Sequence, residues 1–462
     1  MSSPHYIKLA GQIFCLSQNL QVQDKIRYCS YPKRMKKFTI GDKMTKRRIV
    51  ITGMGVISPF GVGSDKLWEN VVAGKSGISK IENMEDMSGH TVLIGGEIKK
   101  KDFNPEEYFD AKEVKRLDKF LQYAIVAARE AVEDSKIKQS DIDPYRFGVI
   151  AGAAAGGFQT IEKSYYAMLT KGPTKCSPYT IPMLICDMCA GKISMEVGAK
   201  GINKAVVSAC ATSAHCIGDA FRAIQYDEAD AIIAGGSEAV ICMIGIGAFT
   251  AARTLSKRND EPQKASRPYD KDRDGFVMSE GAGMLVLEEL EHAKKRGAKI
   301  YAEIIGYGQT GDAYDVVAPC PDGTSAGKAM EFALKDAGIK AEDVNYINTH
   351  GTSTHLGDIA ESLAIERVFG NKEQNQNLKV SSTKSSTGHM LGASGAVESV
   401  ICINAINNSI IPPTINLENL DEEVASLNYV ANKAEKADVN IALTNSFGFG
   451  GHNAVLIYRK YK

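Results

Sequence analysis

The sequence predicts an α/β fold made of two similar halves, and three observations predict it. Apolar, β-branched runs alternate with stretches of helical spacing along most of the chain, as strands alternating with helices require. One unit, a strand followed by a polar turn and a small-residue helix, occurs in both halves. The helices of that unit, 211–223 and 391–397, are crowded with alanine and glycine. A surface helix would be charged along one side, so these read as buried on both faces between two sheets.

Length and composition set the bounds. The chain has 462 residues, 44% hydrophobic and 24% charged, an ordinary globular composition with room for about two to three domains. Lys+Arg 55 balances Asp+Glu 55, so bulk charge does not point to nucleic acid or to an anionic membrane surface. An acidic partner has to be met by a local basic patch. No apolar run reaches the roughly 18–20 residues needed to span a bilayer. The ten cysteines are scattered through a long chain, which reads as reduced thiols in a cytosol-like compartment. Cys186 and Cys189 form a lone C-x-x-C without a second pair or a histidine pair. Two positions on a small-residue helix account for them better than zinc, and no metal is expected.

Residues 1–46 stand apart. They carry nine Lys/Arg against only Asp24 and Asp42, with no sustained periodicity, the composition of a basic targeting leader. The folded part starts at RRIVITGMG, residues 47–55. RRIVITGMGVISPFG reads as a strand and a Gly/Pro loop. Residues 112–135 read as one helix with Leu117, Phe120, Leu121, Ile125 and Ala128 on one face. RFGVIAGAAAGG is a buried strand ending in glycines, and Ala205–Val207 a short buried strand before a helix starting at Ala211. ADAIIAGGSEAV is a strand, and SEGAGMLVLEELEHAKKRGA a strand entering a helix that Gly297 stops. These elements make a first half, 47–297. In the second half, 298–462, YAEIIGYG is a strand, GKAMEFALKDAGI a helix and VNYINTHGTST a strand with a polar loop. LKVSSTKSSTGHMLGASGAVESVICINAI supplies a strand, a Ser/Thr turn and a helix, and IALTNSFGFGGHNAVLIYRK a hairpin around glycines.

Reactive groups fall at strand ends in three places. Cys210 ends VVSAC at a strand-to-helix turn, where free N–H groups and the helix dipole favour a thiolate. Alone it reads sooner as a small buried hydrophobe than as a nucleophile. His350 lies in NTHGTST, and Lys384 and His389 lie five apart in STKSSTGHMLGASG. Each histidine alone reads as structural. Together with a turn-placed cysteine and glycine-rich backbone they form a set able to activate a nucleophile.

SACATSAHCIGDA, NTHGTSTHLGD, KSSTGHMLGASGAVES and NSFGFGGHN, in that order, resemble the β-ketoacyl-acyl-carrier-protein synthases, condensing enzymes of the thiolase-like superfamily. The resemblance runs from about Arg47 to Tyr458 and is nearest to the elongating type I/II enzymes with a Cys-His-His site. It implies a five-layered αβαβα sandwich and a homodimer. It places the nucleophile on Cys210, the histidines on His350 and His389 and the lysine on Lys384. Cys210 and Phe449 supply the oxyanion N–H groups, with Phe449 also the gate in the glycine loop Gly448–Gly451. Thr352, Thr354, Phe447 and Phe249 contact substrate, and Glu398 and Asp312 support the site. The implied activity is decarboxylative Claisen condensation of acyl-carrier with malonyl-carrier in fatty-acid synthesis, through an acyl-Cys210 intermediate and with no cofactor.

The implied partner is an acidic acyl carrier protein, carrying its substrates on phosphopantetheine. Candidate basic contacts are Lys112, Lys115, Arg116 and Lys119, on one side of the expected helix, with Lys175 and Arg253. The leader then implies a eukaryotic organelle, a plastid before a mitochondrion. The sequence departs from the family at His355, where proline is usual, and at His452. The small residues of GAAAGG, 152–157, imply a wide acyl pocket accepting long chains. Other members of the superfamily read less well. A modular polyketide synthase would bring appended segments, a chain-length factor would lack Cys210, and a thiolase would carry a second cysteine near GFGGHN.

Overall fold

The computed structural model describes residues 46–84 and 86–462, and upstream of them only a backbone hairpin, Tyr6–Leu9 with Gln12–Cys15. The leader expected over residues 1–46 lies, apart from that hairpin and Lys46, outside the described residues. Lys46–Lys462 forms a unit of its own.

Eleven strands build its central sheet, two of them of two residues each, Gly61–Val62 and Asn203–Lys204; the other nine are β1 Ile49–Ser58, β2 Phe147–Gly152, β3 Ala231–Glu238, β4 Gly281–Glu289, β5 Ala302–Gly311, β6 Tyr346–Asn348, β7 Lys379–Ser381, β8 Ile441–Gly448 and β9 His452–Arg459. Their order is β7-β6-β8-β9-β5-β1-β4-β3-β2, ending on the two-residue strand Asn203–Lys204. The order is a repeat. In the first wing β1-β4 and β4-β3 are antiparallel, and β3-β2 and β2 with Asn203–Lys204 are parallel. In the second wing β5-β9 and β9-β8 are antiparallel, and β8-β6 and β6-β7 are parallel. Within the sheet, among the described residues, the wings join where Ile49–Ile51 of β1 pairs with Ala302–Ile304 of β5. The changeover between wings thus falls between Glu289 and Ala302.

Helices complete five layers. They are α1 Lys119–Ser135, α2 Met188–Val197, α3 Thr212–Gln225, α4 Thr324–Ala337, α5 His355–Phe369 and α6 Ser394–Asn408. The outer pairs cover the outer faces: α1 and α2 lie on the first wing, α4 packs on β5 and β9 of the second, and α5 packs on α4. Helices α3 and α6 pack against each other and touch strands of both wings. Every α6 side chain from Ser394 to Ile406 is buried, as its small-residue composition predicts. The close packing demands glycine at Gly283 of β4, where a Cβ would meet Val397 N at 2.8 Å.

Three local expectations are overturned. Residues 112–135 do not form one helix: a short helix Ala111–Val114 and α1 are separated at 115–118, where the buried Asp118 accepts from Phe120 N and caps α1. Local hydrogen bonding by this aspartate outcompetes continuous helical spacing. Ala205–Val207 is not a buried strand. Pairing stops at Lys204, and Val207 is 54% exposed. Cys186 precedes α2, so only Cys189 of the C-x-x-C pair lies on the helix.

Candidate active site

The site forms where the two wings present their strand ends and glycine turns to one cavity. Cys210 sits in a tight turn, Ala209–Ala211, running directly into α3. The cavity it lines is also lined by His350, His389, Phe249, Phe447 and Phe449. Gly448 touches the cysteine turn, and a Cβ there would come within 3.0 Å of Cys210 N. The N–H groups of Phe449 and of Cys210 itself face the sulfur and favour the thiolate, as does the Lys384 charge. Burial outweighs them and, with the nearby Glu238 carboxylate, pushes the thiol up to about 12. Desolvation of the buried anion thus opposes the thiolate that the helix terminus favours.

Both histidines come from loops that carboxylates and backbone hold still. His350 follows β6, and its N–H and that of Gly351 donate to Glu361 at 2.8 and 2.7 Å. Asp358, one turn earlier on α5, accepts from Ser353 N and Tyr269 N. His389 is fixed by backbone bonds to Val277 O and from Ser279 N, and its Nδ1 lies 3.1 Å from Ser394 Oγ. The two rings meet edge to face, and Phe276 packs 5.3 Å from His389. Burial, then the Lys384 charge, holds both pKa values well below the ordinary histidine value. Both rings are neutral at neutral pH.

Lys384 is fully buried and forms an ion pair with Glu398 of α6, beside its electrostatic effect on both histidines. Asp312 accepts from Asn453 Nδ2 at 2.6 Å and Cys320 N at 3.0 Å, and its own N–H donates to Gly451 O. It thereby ties the glycine loop to the wall of the cavity. Thr352 and Thr354 both line the cavity, with hydroxyls 3.0 Å apart. Phe249 stacks edge-on against Phe276, with Phe449 6.1 Å away, and Phe447 lies 5.8 Å from His350. His355 opens α5, a first-turn position where proline is also at home, and meets Arg273 at 3.1 Å.

The basic candidates do not share one helical side. Lys112, Lys115 and Arg116 belong to the short helix and the link after it, and Lys119 opens α1, half-buried and acting on Glu280. Arg116 stacks over Tyr179 at 4.6 Å. Lys175 and Arg253 are exposed, and Arg253 precedes Thr254 of the cavity wall. GAAAGG does not line this cavity. Its Ala154, Ala155 and Gly156 N–H groups wrap the carboxylate of Glu238, which also accepts from Gly392 N. Ala155 packs into the cluster that contains Cys210 and Leu391.

Glu238, Asp358, Glu361, Ser394 and Phe276 were not singled out from sequence. Apart from Phe276, each is a polar residue at a position that reads as core or helix, and only the tertiary contact reveals the backbone or ring nitrogen it satisfies.

Comparison with known proteins agrees with this architecture. Residues 46–293 match the family described as "Beta-ketoacyl synthase, N-terminal domain" and residues 301–418 its C-terminal domain. The chain belongs to the β-ketoacyl synthase family. It is 47% identical over 419 residues to the 3-oxoacyl-[acyl-carrier-protein] synthase 2 of Synechocystis sp., covering 91% of this chain and 99% of that one. It is 49% identical over 416 residues to the enzyme of the same name from Staphylococcus aureus, covering 90% and 99%. Among solved structures, a β-ketoacyl synthase from Burkholderia phymatum superposes with TM-score 0.83 at 32% identity, over 90% of this chain and all of that one. A type II polyketide ketosynthase, solved with its acyl-carrier protein, gives 0.82 at 36% identity over the same shares.

Proposed function

We propose that this chain is a chain-elongating 3-oxoacyl-[acyl-carrier-protein] synthase of type II fatty-acid synthesis. It condenses acyl-carrier with malonyl-carrier to 3-oxoacyl-carrier, CO2 and free carrier. The observation that carries the reading is the single cavity lined by Cys210, two neutral histidines and two threonine hydroxyls. Its relatives named 3-oxoacyl-[acyl-carrier-protein] synthase 2 support it along nearly the whole chain.

In the first half-reaction Cys210 attacks the acyl thioester and the carrier thiolate departs, taking the proton that the Cys210 thiol gives up. The N–H groups of Cys210 and Phe449, already facing the sulfur, stabilise the oxyanion. One such donor lowers the barrier by about 2.7–4 kcal/mol. In the second, malonyl-carrier loses CO2, and His350 and His389 donate hydrogen bonds to the enolate oxygen. Neutral rings suit this, since each donates one N–H without a net charge. The enolate carbon attacks the acyl-Cys210 carbonyl, the C–S bond breaks, and the departing Cys210 thiolate takes up a proton from solvent. Lys384 sets the electrostatics of both rings, and Thr352 and Thr354 hold the pantetheine arm. No cofactor is needed beyond the carrier's phosphopantetheine.

The domain reading is two thiolase-like halves, 47–297 and 298–462, behind a leader, 1–46. That leader's basic composition supports import into an organelle, a plastid first. A homodimer is supported by the open sheet edge at Asn203–Lys204 and by the exposed apolar side chains of Tyr166, Leu169, Ile181 and Met195. The test is purified protein with malonyl-carrier and acyl-carriers of graded length, product identified by mass. Formation of 3-oxoacyl-carrier two carbons longer supports the reading, and none from any chain length ends it.

A further inference from the structure

Behind the nucleophile, Ser208 Oγ and His215 Nδ1 share a 2.7 Å hydrogen bond, with both residues buried. Ser208 N also donates to Thr212 Oγ1 at 2.9 Å, and Ala211 N to Ser208 O at 3.1 Å. Between these ties Ala209 stands at φ +50°. That left-handed backbone is unfavourable for a residue with a Cβ and persists only where its surroundings over-determine it. Its surroundings do so. On one side are Ser208 and α3. On the other is Gly448, so close that a Cβ there would lie 2.8 Å from Ser208 O and 3.3 Å from the Ala209 Cβ.

His215 is shaped for a structural hydrogen bond. Tyr307 packs edge-on to its ring, centroids 6.3 Å apart at 82°. Burial, with nearby His452, brings its pKa down to about 4, so it stays neutral where the reaction runs. It does not line the cavity.

We infer that the Ser208–His215 hydrogen bond braces Ala209 in its left-handed conformation and so aims the Cys210 thiol and N–H into the cavity. His215 is a positioning residue acting through Ser208. The inference rests on the reading of Cys210 as the acyl-accepting nucleophile.

The test uses the full chain and two readouts. One is the rate at which iodoacetamide alkylates Cys210 at fixed pH, followed on its own peptide by mass. The other is kcat and KM for condensation. His215→Leu and Ser208→Ala each slow alkylation and lower kcat by about five- to tenfold, the scale of one neutral hydrogen bond, with KM unchanged. The double variant is no worse than either single. His215→Asn, whose amide reaches the Nδ1 position, recovers most of the loss. Ala209→Gly adopts φ +50° without steric cost. It therefore raises the melting temperature and brings alkylation in the His215→Leu background back towards the parent rate.

Additive losses, no rescue by Ala209→Gly, or alkylation indifferent to His215 each overturn the brace. Should His215→Leu fail to fold, Ser208→Ala, which removes one oxygen, carries the same test. If the parent chain condenses nothing while the alkylation pattern holds, the functional reading falls and the brace stands. If it condenses normally and alkylation ignores His215, the reverse is true.

Discussion

The His350 and His389 rings meet at 87° with centroids 5.3 Å apart. Burial first, and then the Lys384 charge, keeps both from accepting a proton. A histidine whose folded pKa is depressed leaves stability untouched above its unfolded value, about 6.5, and withdraws it as pH falls below. Urea denaturation at pH 7 and pH 5 should therefore show the parent losing more stability than a His350→Asn, His389→Asn double variant. Equal losses would contradict the buried neutral pair. The kcat profile should likewise lack an acid limb near pH 6.5.

Cys210→Gln removes the acyl acceptor but leaves the histidines in place. It should abolish condensation while malonyl-carrier still releases CO2, measured as labelled CO2 and by product mass. Normal chain extension by this variant would show that another group accepts the acyl chain. In the parent, a thiol pushed up to about 12 should be alkylated slowly at pH 7, faster as pH rises.

Lys384 and Glu398 are buried as a pair. Lys384→Ala leaves an uncompensated carboxylate and should destabilise the fold by about 3–5 kcal/mol. Lys384→Met with Glu398→Leu should recover most of that stability but not condensation. Calorimetry beside the condensation assay separates the two effects. Recovery of both would mean the pair serves packing alone.

Glu361 accepts from His350 N, Gly351 N and Asn445 Nδ2. Glu361→Gln has one acceptor oxygen where the carboxylate had two, so a backbone N–H is orphaned beside the catalytic loop. A loss of about 2–3 kcal/mol in chemical denaturation is expected, with a larger fall in kcat than in substrate affinity. An unchanged kcat would separate this carboxylate from the placement of His350.

Ala155 packs in the cluster that holds Cys210 and Leu391. Ala155 does not line the open cavity, but a bulky side chain packed against that cluster should crowd the far side of Cys210, so Ala155→Phe should lower elongation of long acyl-carriers more than of short ones. Equal losses at all chain lengths would separate Ala155 from the space the acyl chain occupies.

Much of this molecule is legible locally. The strand and helix periods, the buried character of α3 and α6, and the four motifs carrying Cys210, His350, Lys384, His389 and Phe449 are all visible in residue order. Each depends on neighbours a few positions away. Where the local signal misled, a specific competitor won. Asp118 interrupted a continuous helical pattern by capping, and Val207, β-branched and apolar, found no strand to pair with.

The sequence by itself determined which residue types meet at which turns, because turn chemistry and hydrophobic period are properties of short stretches. Only the tertiary structure decided their electrical state and aim. Burial opposes ionisation of Cys210, one buried lysine acts on both histidines, and Glu238, Glu361 and His215 found partners that spacing along the chain does not encode. Desolvation and hydrogen-bond satisfaction depend on everything that surrounds a group, and that exists only once the two wings have closed on the helices between them.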